Sequence, residues 1–207
     1  MAAMEYENKK YERTGETLWY GGVELHRIRA VRDFTLCNGV TVRAGELGGW
    51  LEYDGNLSHL GSAWVSGDAR VYGSARVCCD AKVYGSARVC GDAWLCGDAS
   101  VYGDAEVYGS ASVYGDAVLR GGVKVKKTTD YVLVGPAGSR AAVTTFVPGD
   151  DMVSCGCFSG TLEEFAARVE ETHEGQALFL SQYRSMVQFF RLMRQTALCA
   201  ESARNGN

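Results

Sequence analysis

Proline is nearly absent from this 207-residue chain, with two residues against 26 glycines. That imbalance excludes a Pro/Gly-rich disordered tract and points to a backbone that needs glycine at set positions. Histidine is scarce as well: His26, His59 and His173 are the whole supply. A basic excess is missing, since 21 Lys+Arg face 25 Asp+Glu for a net charge of −4. General nucleic-acid binding normally needs the opposite balance and is not expected. No apolar run approaches the roughly 18–20 residues of a membrane span. The opening MAAMEYENKKYERTGE lacks the apolar core of a secretion signal, so the expected location is the cytoplasm. Eight cysteines are present, but Cys78-Cys79 and Cys155-Gly156-Cys157 are too tightly spaced for the usual metal pairs. No metal and no cofactor is expected, and the thiols read as reduced, small apolar residues.

What the chain does have is a repeat. From Val65 to Leu119 an aliphatic residue returns every six positions, with Ala two places before it. Gly stands two places after it in nine of ten copies, and Cys79 is the exception. A strict period of six rejects an α-helix. Ala-x-Val fits a very short strand with Ala and Val on one face. Gly-Asp or Gly-Ser fits a corner, because Gly tolerates positive φ and Asp and Ser bond nearby backbone. Three strand-and-corner sides close a triangular coil, and coils stack at about 4.8 Å. Vertical neighbours should therefore lie eighteen residues apart: Arg70, Arg88 and Glu106 in one column, Arg76 beside Trp94, and Trp64 beside Lys82. The last two pairs suit cation–π contact. Tyr84 and Tyr102 fall on the same ladder of outward residues.

The unit Ala-x-Val-x-Gly-(Asp/Ser) closely resembles the hexapeptide-repeat family over residues 51–125. The resemblance implies a left-handed parallel β-helix of about four coils and a homo-oligomer, with a trimer favoured. The fold class expected is mainly β. Residues 1–16 are expected to be a flexible N-terminus and 17–50 an N-terminal β cap, with an Asn38-Gly39 turn inside CNGVTV. His59 sits where the register expects an aliphatic residue, so the first coil should be irregular and serve to seal the open edge.

Residues 126–200 have a different grammar and are expected to form a small α+β domain, with 201–207 as a frayed tail. A strand ending in a Gly-rich loop is expected in DYVLVGPAGSR (130–140), and two more over 141–147 and 152–158. Thr161-Leu-Glu-Glu164 matches a capping box, and Leu162, Phe165, Ala166 and Val169 give helical spacing over 162–172. A second helix, about 176–200, carries an apolar set that includes Tyr183 and Phe190 and spills onto Phe189 and Leu192, and burial of Phe189 and Phe190 between subunits is expected.

For function, Gly135-Pro-Ala-Gly138-Ser139-Arg140 is a Gly-rich turn that can offer backbone N–H groups and an Arg fork to an anion. It lacks the Lys-Ser/Thr ending of a Walker loop. The C-terminal segment also resembles a small domain found beside hexapeptide β-helices in proteins of bacteriophages and gut bacteria. That resemblance extends to Leu-Gly-Gly-Trp and Asn-Leu-Ser-His at 47–59. It marks Gly138, Ser139, Arg140, Thr144, Thr145, Gly156, Cys157 and His173 as distinctive positions, with Tyr183 a further candidate. Ser, Arg, Thr, His and Tyr form a donor set suited to a phosphate-bearing ligand, and they include no nucleophile–base pair. The leading expectation is a non-enzymatic binding protein of a phage that sequesters a small anionic ligand, such as a nucleotide immune signal, inside the bacterial host cell. An alternative is an inhibitor of a host defence protein, docking through Trp64, Arg76, Tyr84, Trp94 and Tyr102. A second alternative is acyl transfer. The resemblance would require a His in the regular coils for it, and none is there.

Overall fold

The computed structural model describes residues 9–205. The chain divides into two compact units, one running to Thr128 and the other from Thr129. The expected flexible segment 1–16 lies partly outside the described residues, at 1–8. The rest of it needs correction: β1 (Tyr11–Tyr20) pairs antiparallel with β2 (Val23–Ala30), and that ladder orders residues 11–16. β3 (Phe34–Thr35) and β4 (Thr41–Val42) form the small hairpin at Asn38-Gly39, where Gly39 takes φ +83°. β5 (Leu47–Leu51) pairs antiparallel with β2 and parallel with Arg70-Val71. The cap is thus the first part of a sheet that continues into the repeat.

The repeat is a parallel β-solenoid. Eleven two-residue strands, β6 (Trp64–Val65) through β16 (Lys124–Val125), follow one another without reversal. The expected spacing of eighteen holds for the pairs Val71–Val89–Val107–Val125, Val77–Leu95–Val113 and Val65–Val83–Val101–Leu119. These columns and the Ala residues beside them are fully buried. Burying each aliphatic side chain contributes about 1.5–3 kcal/mol, and the small Ala keeps three walls close enough to touch. Glycine is required at the corners. Gly97 has φ +67°, and a Cβ there would stand 2.8 Å from the Gly115 nitrogen of the next coil. Cys79 occupies the equivalent corner with φ +59°, so it holds a left-handed backbone that only Gly adopts without cost.

The first coil is irregular for a specific reason. Leu57 pairs with Val77, twenty positions on, whereas Val65 pairs with Val83, eighteen on. Two extra residues lie between Leu57 and Val65, so Leu57 and not His59 fills the inward place. His59 stacks on Tyr11 at 4.2 Å and accepts the Lys10 N–H at 3.1 Å. The end of the prism is closed by buried polar groups that bond to backbone. Buried Lys10 donates through Nζ to the Gly61 and Ala63 carbonyls, and burial pushes its ammonium pKa down to about 8. Tyr11 donates its hydroxyl to the Asp54 and Leu57 carbonyls. Asn56 accepts the Glu52 and Tyr53 N–H groups and donates to the Gly73 and Ala75 carbonyls.

The second unit is a four-stranded antiparallel sheet with two helices. Its strands are β17 (Val132–Ala137), β18 (Ala142–Val147), β19 (Met152–Cys155) and β20 (Phe158–Thr161). The single strand expected over 152–158 is instead a hairpin, because Gly156 turns the chain at φ +55°. α1 (Leu162–Thr172) begins with the capping box of Thr161 and Glu164 in place. α2 (Ala177–Asn205) runs beyond the expected end. Residues 201–205 of the expected tail are helical, since nothing before Gly206 breaks the pattern, and 206–207 lie outside the described residues. Phe146, Val153, Leu162, Phe165, Val169, Met186, Val187 and Phe190 make the core.

Candidate functional site

A cavity of about 680 Å³ opens in the second unit. Three pieces of chain build it: the β17–β18 turn, the β19–β20 hairpin and one face of α1 with the start of α2. The first piece depends on Gly138. Its φ is +75°, and a Cβ there would stand 2.1 Å from the Tyr183 hydroxyl oxygen. The backbone at Gly138 therefore presses against Tyr183, and its N–H is spent on Gln182 Oε1 at 3.0 Å. Ala141 N–H returns to the Gly138 carbonyl. Two N–H groups of this turn, those of Gly138 and Ala141, are thus taken up inside the protein. The side chains of Ser139 and Arg140 line the cavity instead.

Arg140 reaches from this turn to the next hairpin. Arg140 Nη1 lies beside Gly156, where a Cβ would meet it at an ordinary contact distance of 3.8 Å. Nη1 also stands 4.0 Å from the Cys157 sulfur. The third piece supplies His173, Tyr183 and Gln176. His173 closes α1 with its N–H on the Val169 carbonyl and stacks its ring on Tyr183 at 4.9 Å. Its Nδ1 is 3.1 Å from Gln176 Oε1, which fixes the ring orientation. With Nδ1 donating, Nε2 is left to accept. Burial pushes the Tyr183 phenol above its usual pKa, so it stays a neutral donor.

Of the residues expected from sequence, Ser139, Arg140, Gly156, Cys157, His173 and Tyr183 come together on this cavity, and Gly138 packs behind it. Thr144 and Thr145 do not line it. Both are buried, and the Thr144 hydroxyl donates to Cys155 Sγ at 3.1 Å. Sequence reasoning missed Phe165, Arg168, Val169 and Thr172, although their i, i+3, i+4, i+7 spacing puts them on one helical face. It also missed Phe158, Ser159 and Gln176, which carry no comparable signal. Arg168 leans toward Glu171 at 3.4 Å. Among the described residues no carboxylate lines the cavity.

The residues expected on an outer docking surface divide. Trp64 is 2% exposed and meets Phe34 and Tyr11 edge-on, so it is a core residue and not a surface anchor. Phe190 is fully buried against Phe146. Arg76, Tyr84, Trp94 and Phe189 are exposed. Tyr84 and Tyr102 stack at 4.5 Å, and Arg120 donates to the Tyr102 hydroxyl. The expected Arg76–Trp94 and Trp64–Lys82 neighbours are in register but form no cation–π pair. Trp94 turns its indole N–H onto Cys78 Sγ, and Lys82 donates to Cys37 Sγ. The cation–π contacts among the described residues are Lys10 over Phe34, Arg27 over Trp50 and Arg70 over Tyr20.

Among known families, the YdcK beta solenoid repeat matches residues 63–78. That stretch lies within the β-solenoid and bears on its fold, not on the cavity. No curated protein matches the chain.

Proposed function

We propose that this protein is a non-enzymatic binding protein whose C-terminal unit takes a small anionic ligand with a flat or apolar portion, a nucleotide being the fitting class. One observation carries this reading: the cavity gathers Arg140, Ser139, His173 and Tyr183 with Phe165 and Val169, and no acidic side chain among the described residues lines it. Its volume of about 680 Å³ is that of a small-molecule site. An Arg fork and hydroxyl donors suit phosphate, and the aromatic rings suit a base. His173 on the wall bonds Gln176 through Nδ1 and stacks on Tyr183, which supports a binding role. The fuller proposal places the chain in the hexapeptide-repeat family as a phage-type homo-oligomer that sequesters a nucleotide signal of host defence. It draws on the sequence resemblances at 47–59 and in the C-terminal unit.

Calorimetry with a panel of linear and cyclic nucleotides tests the reading. Binding by at least one of them is expected. Arg140→Ala should weaken it by about 10–100-fold, the worth of a charge-assisted hydrogen bond. Absence of heat for every nucleotide with folded protein removes the proposal.

A further inference from the structure

The β3–β4 hairpin meets the solenoid at two points. Phe34 packs edge-on against Trp64. Cys37, in the turn that Leu36 and Val40 close, is exposed, yet its sulfur is met by a lysine of the solenoid. Lys82 Nζ stands 2.6 Å from Cys37 Sγ, across 45 positions of chain. Lys82 opens β9 (Lys82–Val83), with Trp64 and Ser100 beside it in register, and is only 9% exposed. A buried ammonium normally sits against a carboxylate. Asp80, two positions away, spends Oδ1 on the N–H and the hydroxyl of Ser62. Lys82 takes the sulfur instead.

An amine held on a sulfur that solvent can reach is the arrangement for an oxidative bond between them. A hydroperoxide turns an exposed thiol into a sulfenic acid, which then condenses with the nucleophile held against it. A second thiol gives a disulfide, and a nitrogen gives a sulfenamide. At Cys37 the group in place is Lys82 Nζ. It approaches from the buried wall and leaves the exposed side of the turn to the oxidant. Reacting atoms already in contact need no further encounter. Cys78 and Cys79, the thiols nearest Lys82 in sequence, face each other at 3.8 Å.

We infer that Cys37 and Lys82 form a modification site for a hydroperoxide, which joins them through a sulfenamide bond. The Cys37 thiol first attacks hydrogen peroxide. The O–O bond breaks, sulfur keeps one oxygen as S–OH, and one water leaves; sulfur is oxidised by two electrons and the peroxide is reduced. Lys82 Nζ then reacts as the free amine, an ammonium giving its extra proton to solvent. The S–N bond forms, the S–O bond breaks, and the hydroxyl departs with one amine proton as a second water. The new bond ties the hairpin, with Phe34 over Trp64, to the wall of the solenoid. The inference is independent of the cavity and its ligand.

Peptide mapping by mass spectrometry, on the folded full chain treated with hydrogen peroxide, tests it. A linked pair of tryptic peptides carrying Cys37 and Lys82 is expected, lighter than the two together by two hydrogens and uncleaved at Lys82. Dithiothreitol should separate it. Cys79→Ser should keep the linked pair, which separates it from a disulfide to Cys79. Lys82→Arg, which keeps the charge, should lose the pair and leave a Cys37 sulfenic acid that dimedone traps. Wild-type chain unfolded in urea before the peroxide should not form the pair, and this arm decides if Lys82→Arg fails to fold. Absence of the pair from folded wild type, its survival in Lys82→Arg, its loss in Cys79→Ser, or equal yield from unfolded chain would overturn the inference.

Discussion

Asn56 offers the sharpest test of how the solenoid is closed. The side chain is fully buried and makes four hydrogen bonds. Its oxygen takes two backbone N–H groups, and its nitrogen gives to the Gly73 and Ala75 carbonyls at 3.0 and 2.8 Å. Asn56→Asp keeps the shape and replaces that nitrogen by oxygen. A protonated acid can still donate to one carbonyl, so at low pH the loss is one bond and one orphaned acceptor, about 1–2 kcal/mol. An ionised carboxylate has no donor for either carbonyl and is buried against two oxygens, which costs about 3–5 kcal/mol. The difference of about 3 kcal/mol raises the folded-state pKa by about two units above the ordinary Asp value near 3.9. A raised folded pKa means the unfolded chain releases its proton first. Stability is then fully present below about pH 4 and is lost as pH rises to about 6. Urea unfolding followed by tryptophan fluorescence should show the variant's deficit growing across that window and flat above it. Asn56→Ala should show a deficit independent of pH. An Asn56→Asp deficit of equal size at pH 4 and pH 7 would refute the assignment of Nδ2 to the two carbonyls.

Other consequences are as direct. Cys79→Gly relieves a left-handed corner worth about 1–2 kcal/mol and gives back about 0.5–1 kcal/mol in chain entropy. A small rise in melting temperature is expected, and a fall would show that Cys79 makes a compensating contact. Gly138→Ala drives a Cβ into Tyr183 at φ +75°, so nucleotide affinity should drop at least about tenfold, the loss of one good contact, with the secondary structure retained. Arg191 and Arg184 hold the Glu163 and Glu170 carboxyls below their usual range. Because those folded pKa values are depressed, their stabilisation is present above the ordinary glutamate pKa and lost as pH falls through the folded values. The joint variant Arg184→Met/Arg191→Met should make acid unfolding of this unit less steep in that window.

The solenoid was legible because its physics is local and repeated. A residue buried at every sixth position and a corner that needs positive φ leave the same mark in each copy, down to the one Cys at a Gly corner. The α1 cap was legible for the same reason, since Thr161 and Glu164 bond within a single turn. Other features depend on contacts far apart in sequence. Leu57 takes an inward place only because two residues bulge out behind it, and Lys10 and Asn56 seal the end only across some twenty to fifty positions. Trp64 looked outward by register, yet Phe34 and Tyr11 cover it. The Gly138-Ser139-Arg140 turn stood out in sequence, but only packing gave the Gly138 N–H to Gln182 and set Ser139 and Arg140 on the cavity wall. The amino-acid sequence alone thus determined the repeat, its walls and the first helix, because neighbouring residues suffice to satisfy them. Which polar groups converge was decided only when distant segments packed and used up some donors and not others.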